Sequence, residues 1–221
     1  MPDKLIFDFL KTLKKNNNRE WFQQNKSQFE AARNKFETLV NLLIGEVSKI
    51  DKNITSLNSK DCTFRIYRDV RFAKDKSPYK TNFGAFIAKG GKNSGNAGYY
   101  IHIEPGSCFL GGGIYMPPAN ILKAVRTEIL ENTEDFKAII HNKLFIEEFG
   151  NITDDNPLKS PPRGFPADFP DIDLLKYRNY TVIKYLSDKF LLSDTLIEEI
   201  INTFRLMFPL NSFINRIISQ L

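Results

Sequence analysis

The stretch FGAFIAKGGKNSGNAGYYIHIEPGSCFL, residues 83–110, decides the fold. Phe83 to Ala88 has strand length and is apolar on both faces. Gly90 to Gly98 is glycine-rich and reads as a flexible hairpin tip. Tyr99 to Glu104 then alternates. Tyr99, Ile101 and Ile103 take one side; Tyr100, His102 and Glu104 take the other. Pro105-Gly106 turns the chain, and Ser107 to Leu110 starts another strand. Consecutive strands joined by short turns make an antiparallel meander.

Working outward, helices lie on both sides. Pro2 fits a first helical position. Ile6, Phe9, Leu10 and Leu13 follow with amphipathic helical spacing. Asn18 is placed to cap a second helix at Arg19-Glu20-Trp21-Phe22. A long helix is expected from Lys26 to Ile50, with Phe36, Leu39, Val40, Leu43, Val47 and Ile50 as its stripe. Strand signals resume at Cys62-Thr63-Phe64 and continue through Ile66 and Tyr67. Arg68 ends them, and Asp69 to Ser77 reads as a loop or tight turn. Downstream, Met116-Pro117-Pro118 precedes a helix starting near Ala119. Asn132 or Thr133 is a candidate cap for the next helix, with Phe136, Ile139 and Ile140 inward. Gly150 to Pro170 is a long loop without periodicity. Asp171 to Tyr177 is a candidate short helix and Tyr180 to Leu186 a late strand. Ser193 is a candidate cap for a final helix that Pro209 is expected to interrupt. The expectation is one α+β domain over residues 1–221, with an antiparallel sheet of about four to six strands. A helical block (1–50), a sheet region (60–115) and a helical region holding the long loop and late strand (116–221) make it up.

Charge is concentrated in one place. Residues 65–80, RIYRDVRFAKDKSPYK, hold Arg65, Arg68, Arg71, Lys74, Lys76 and Lys80 against Asp69 and Asp75, a net +4 out of +5 for the whole chain. Two like charges about 6 Å apart repel by roughly 3 kcal/mol at an effective dielectric near 20. Such charges either fan into water, as on an edge strand that discourages aggregation, or meet something negative. Arginine forks match phosphate or carboxylate bidentately. Spacing of three cannot put Arg65, Arg68, Arg71 and Lys74 on one strand face, so some of them point to Asp69, Asp75 or Glu104.

Composition excludes several classes. At 221 residues and 42% apolar the chain is an ordinary globular protein, and a pI near 9.1 is far from histone-like. The nineteen Phe read as core packing more than as platforms for bases. Two cysteines, Cys62 and Cys108, make no secreted disulfide framework and no zinc spacing. Asp8 and Lys11 break any signal-peptide core. No apolar run spans a membrane. A cytoplasmic location is expected.

Around the cluster, Asp69 and Asp75 are poor general bases, because neighbouring cations lower a carboxylate's pKa. They are orienters of arginine or, less fittingly, Mg²⁺ ligands. Tyr79 is either a stacking or phosphate-donating ring or a core residue. His102 with Glu104 has the spacing of an oriented imidazole, though a lone strand histidine is commonly structural. His141, near a helix end, answers the dipole. Gly111 to Gly113 has the look of a phosphate-binding turn, but lacks the Lys-Ser/Thr of a P-loop. A bulge or a close backbone approach is the preferred reading. Lys159 and Arg163, among prolines, are candidates for a lid over the basic cleft or for an ordered surface loop. No metal set, cofactor or catalytic triad is legible.

Four segments together resemble a known family. They are Asn18-Arg19-Glu20-Trp21-Phe22 with Asn25-Lys26; Arg68-Asp69-Val70-Arg71-Phe72 through Asp75-Lys76-Ser77-Pro78-Tyr79-Lys80; Gly111 to Gly113; and Leu158-Lys159 with Pro162-Arg163-Gly164-Phe165. In this order they resemble the bacterial and fungal domain of unknown function 2461, from about Phe7 to Ile218. The resemblance implies a single domain of this length and no particular reaction. Members of that family often have histidine where this chain has Phe169 before Pro170, which argues against a mechanism needing one there.

Three functions follow as expectations. The basic segment with Arg163 binds a phosphate-bearing small molecule, for phosphoryl or nucleotidyl chemistry. Alternatively the same face binds nucleic acid without catalysis. Alternatively the chain is a structural or protein-interaction module that neutralises the cluster internally.

Overall fold

The computed structural model describes residues 4–189 and 192–221; the expected role of Pro2 falls outside them. Three helices open the chain: α1 (Lys4–Lys15), α2 (Arg19–Gln24) and α3 (Lys26–Ile50). Ile6, Phe9, Leu10 and Leu13 are buried, as are Phe36, Leu39, Val40, Leu43 and Val47 of α3. Asn18 caps α2 by accepting the Trp21 N–H at 2.9 Å. Phe9 is a hub between layers, with ring centroids 5.7 Å from Phe29, 6.2 Å from Trp21 and 6.3 Å from Phe83. Phenylalanine therefore joins the helical block to the sheet.

Cys62 ends a short helix, α4 (Ser59–Cys62), rather than opening a strand. The cause is a reciprocal cap: Asn58 Oδ1 accepts the Lys60 N–H and Asp61 Oδ2 accepts the Asn58 N–H, each at 2.9 Å. The following residues, 63–80, are extended but pair too sparsely for a strand. Phe64 N–H donates to Gly84 C=O at 3.0 Å, Lys80 N–H to Ile66 C=O at 2.7 Å and Arg68 N–H to Pro78 C=O at 2.9 Å. They form a two-limbed arm folded back on itself through the Tyr67–Tyr79 bridge. Pro78 offers no N–H to a ladder.

The sheet comprises β1 (Phe83–Ala88), β2 (Gly98–Ile103), β3 (Cys108–Ile114) and β4 (Tyr180–Leu186), antiparallel and adjacent in that order. Gly84, His102, Phe109 and Tyr185 stand in one row across it. One face buries Phe83, Ala85, Ile87, Tyr99, Ile101, Leu110 and Val182. Helices supply the other half of that core. Phe36 stacks on Phe83 at 5.4 Å and Phe204 lies 5.2 Å from Tyr99.

Gly111 to Gly113 lie inside β3. A Cβ on Gly112 would fall 2.6 Å from Met207 Sδ; one on Gly113, whose φ is +100°, would fall 1.9 Å from the Tyr180 carbonyl oxygen. The glycines permit close approach and do not form a turn before a helix. Between β3 and β4 come α5 (Ala119–Glu131), α6 (Thr133–Ile140), α7 (Lys143–Phe149) and a 3-10 turn (Ile172–Leu175). No side chain caps α6, neither Asn132 nor Thr133. Asn142 starts α7, unforeseen in the sequence, by accepting the Leu144 N–H at 3.0 Å.

The last helix, α8 (Leu196–Ile218), runs through Pro209 without a break. Its buried face, Phe204, Met207, Leu210, Asn211, Phe213 and Ile214, is continuous across the proline. Packing of that face outweighs one lost backbone hydrogen bond. Ser193 does not cap it; Thr195 holds that position. Two asparagines one turn apart fasten α8 to the sheet. Asn211 accepts the Gly113 N–H at 2.8 Å and donates to Gly98 C=O at 3.0 Å. Asn215 does the same for both backbone groups of Ala97, at 2.8 and 3.0 Å. Among the described residues no helix is long and apolar enough to cross a membrane.

Candidate anion-binding site

The arm distributes its charges unequally. Arg68, half-buried, directs Nη1 to Asp75 and to the Ser77 carbonyl at 3.1 Å. Asp75 also accepts the Ser77 hydroxyl at 2.6 Å and the Ser77 N–H at 2.9 Å. Those two bonds, with Arg68, hold its carboxyl far below the usual carboxylate range. Asp69 grips Arg71 with both oxygens, Oδ1 to Nε at 3.0 Å and Oδ2 to Nη2 at 2.7 Å, and the Arg71 bonds lower its pKa. Each acid therefore orients an arginine. Lys76 bonds the carbonyls of Val70 and Arg71 at 3.0 and 3.3 Å, closing the tip. Among the described residues the exposed head groups of Arg65 and Lys74 make no hydrogen bond or ion pair. Lys80 lies with Nζ 5.6 Å from the Phe64 ring centroid, and burial followed by Arg65 lowers its pKa.

Tyr79 is a core ring. It stacks on Phe22 at 3.9 Å, and its backbone is clasped by Asn17 through bonds of 2.9 and 3.1 Å. Through that stack the arm docks on α2. Between them lies a cleft of about 300 Å³, whose lining includes Arg19, Gln23, Tyr67, Arg68, Pro78 and Tyr79. Among the described residues Arg19 makes no ion pair. The sequence placed it in a family-like segment and assigned it no binding role; only the Phe22–Tyr79 stack carries it to the cleft with Arg68. Arg163 sits exposed on the long loop, and no hydrogen bond, ion pair or ring contact among the described residues joins that loop to the arm. The loop is instead tied to β4's start, where Asp154 accepts the Arg178 N–H and the Asn179 side-chain amide.

His102 and Glu104 lie on the face of the sheet opposite the core, which the arm reaches through Phe64, 6.2 Å from Tyr100. The Tyr100 hydroxyl donates to His102 Nδ1 at 3.0 Å; His102 Nε2–H then donates to Glu104 at 3.3 Å. Glu104 also accepts the Thr81 hydroxyl at 2.7 Å, and the imidazole stacks on Phe109 at 4.6 Å. Burial lowers the histidine's pKa despite Glu104, and pushes that of Tyr100 up to about 12. Both ring nitrogens are engaged, so the network reads as a satisfied polar row. An NMR pH titration should give His102 a midpoint below the ordinary 6.5. The unfolded chain then takes this proton first, so the folded state loses stability as pH falls below about 6.5.

Among the described residues no group of three or more His, Cys, Asp or Glu is arranged to hold a metal ion. No curated protein and no solved structure matches the chain. A family model does, over residues 5–213, which include both walls of the cleft and the whole sheet. The chain thus belongs to the DUF2461 family of conserved hypothetical proteins.

Proposed function

We propose that this protein binds a phosphate-bearing small molecule in the cleft between α2 and the arm. One observation carries the reading. Two arginines from separate elements line one hollow; among the described residues Arg19 makes no ion pair, and Arg68 is anchored through Nη1 alone. Among the described residues Arg68 Nε and Nη2 make no hydrogen bond, which leaves them for a bidentate contact. Tyr67 and Pro78 add an apolar wall suited to a sugar or base. The module reading draws on the Arg68–Asp75 and Arg71–Asp69 pairs, but leaves Arg19, Arg65 and Lys74 unbalanced.

Calorimetric titration with inorganic phosphate, sugar phosphates and mononucleotides tests the proposal. Hydrogen bonds to charged groups contribute about 1.5–3 kcal/mol. Arg19→Ala and Arg68→Ala should each weaken binding by roughly ten- to a hundredfold. Binding that survives both substitutions unchanged overturns the reading.

A further inference from the structure

The arm shows an arrangement that a small-molecule cleft does not require. Phe72, at its tip, is 96% exposed, Tyr67 is 51% exposed and Phe64 is 40% exposed. Apolar surface gains by leaving water, so a ring left wholly in water at a loop tip can serve an external partner. Two of the rings have a cation near them: Lys80 Nζ lies 5.6 Å from the Phe64 centroid, and Arg71 Cζ lies 5.9 Å from that of Phe72. Tyr67, whose ring meets Tyr79 at 5.4 Å, shares the cleft with Arg68 and Arg19. Arg65 and Lys74 belong to the same segment and make no ion pair among the described residues.

A ring beside a cation, repeated along one arm, matches a polymer whose repeat is a flat base beside a phosphate. Bases stack on aromatic faces without regard to sequence, while cations follow the backbone. We infer that the phosphate-bearing unit in the cleft can be one nucleotide of a single-stranded nucleic acid, which lies along residues 64–80 with bases on Phe64, Tyr67 and Phe72. This rests on the phosphate reading of the cleft, which would hold one backbone phosphate. A duplex keeps its bases stacked inside and offers these rings no face. An anionic lipid surface also attracts cations, but it favours rings gathered on one side of an amphipathic element. Here they stand apart in sequence, at positions 64, 67 and 72, with Asp69 between Tyr67 and Phe72.

The test is fluorescence anisotropy of the full chain with labelled twelve-nucleotide oligo-uridylate and oligo-thymidylate at 50 and 200 mM salt. Hairpin duplex, AMP, inorganic phosphate and phosphatidylserine vesicles are run beside them. Single strands should bind more tightly than AMP and lose at least tenfold in affinity between the two salts. Phe72→Ala should weaken them roughly five- to a hundredfold, and Phe72→Trp should restore binding. So exposed a side chain leaves folding untouched, which a thermal melt confirms. Oligonucleotide affinity indifferent to Phe72→Ala overturns the inference. Binding of AMP or phosphate through Arg19 and Arg68, with single strands no tighter, overturns it while leaving the cleft reading intact. Failure of every phosphate-bearing probe removes both. Preference for vesicles transfers the arm to a membrane surface and overturns it too.

Discussion

Gly113→Ala should lower the melting temperature by about 10 °C, although it adds a single methyl group to a strand. Two costs combine. A φ of +100° lies where a side-chain-bearing residue is strained, by about 1–3 kcal/mol. The new Cβ would also sit 1.9 Å from the Tyr180 carbonyl oxygen, a backbone atom of the neighbouring strand that cannot swing away. Overpacking of this kind adds about 1–3 kcal/mol. For a chain of this size each kcal/mol moves the midpoint by about 2–4 °C. Gly111→Ala is the control. Its nearest neighbour would be Tyr100 Cβ at 3.5 Å, an ordinary contact. Circular dichroism melts of the two variants should therefore diverge, and coincident curves would contradict the close approach of β3 and β4.

Asn211→Leu should cost nearly as much, by another mechanism: the branching of the side chain is kept and its hydrogen-bond partners are lost. Asn211 is fully buried and its amide bridges Gly113 N–H and Gly98 C=O, which face one another across β2 and β3. Leucine strands both backbone groups where water does not reach. At about 1–3 kcal/mol for each of the two buried unsatisfied groups, the loss is roughly 2–6 kcal/mol. Asn215→Leu should cost less, since Asn215 is only half-buried and water can replace its amide. Denaturant titration of both variants checks the order; equal losses would remove burial as the cause.

Much of this architecture was legible where a pattern has one physical solution. The alternation of Tyr99 to Ile103 could bury Tyr99, Ile101 and Ile103 only by standing as a strand, and it does. Asn18 beside a polar-to-apolar step could only start a helix. Competition between signals hid the rest. At Cys62-Thr63-Phe64 β-branched and aromatic residues suggested a strand, while Asn58 and Asp61 closed a helical turn first. At Pro209 the local cost was visible and the compensating face against β2 and β3 was not. The candidate site divided similarly. The arm's charge was plain from composition, including the acids that orient Arg68 and Arg71. Arg19, remote in the chain, needed the Phe22–Tyr79 stack to reach the cleft. His102, read from the sequence as an imidazole with Glu104 on one strand face, meets Glu104 in a polar row on the face of the sheet opposite the core.

The separation of β4 from its partner affects the chain while it is being made. β3 is complete at Ile114, but Tyr180 opens β4 only after residues 115–179 have been added. At about 5–20 residues per second, a growing polypeptide waits on the order of several seconds before that edge is covered. Bare strand edges recruit neighbouring molecules into aggregates. Gly111, Gly112 and Gly113 occupy the waiting edge, and glycine is among the poorest strand formers. The residues that later admit Met207 and Tyr180 so closely also make nascent β3 a weak template for a stranger.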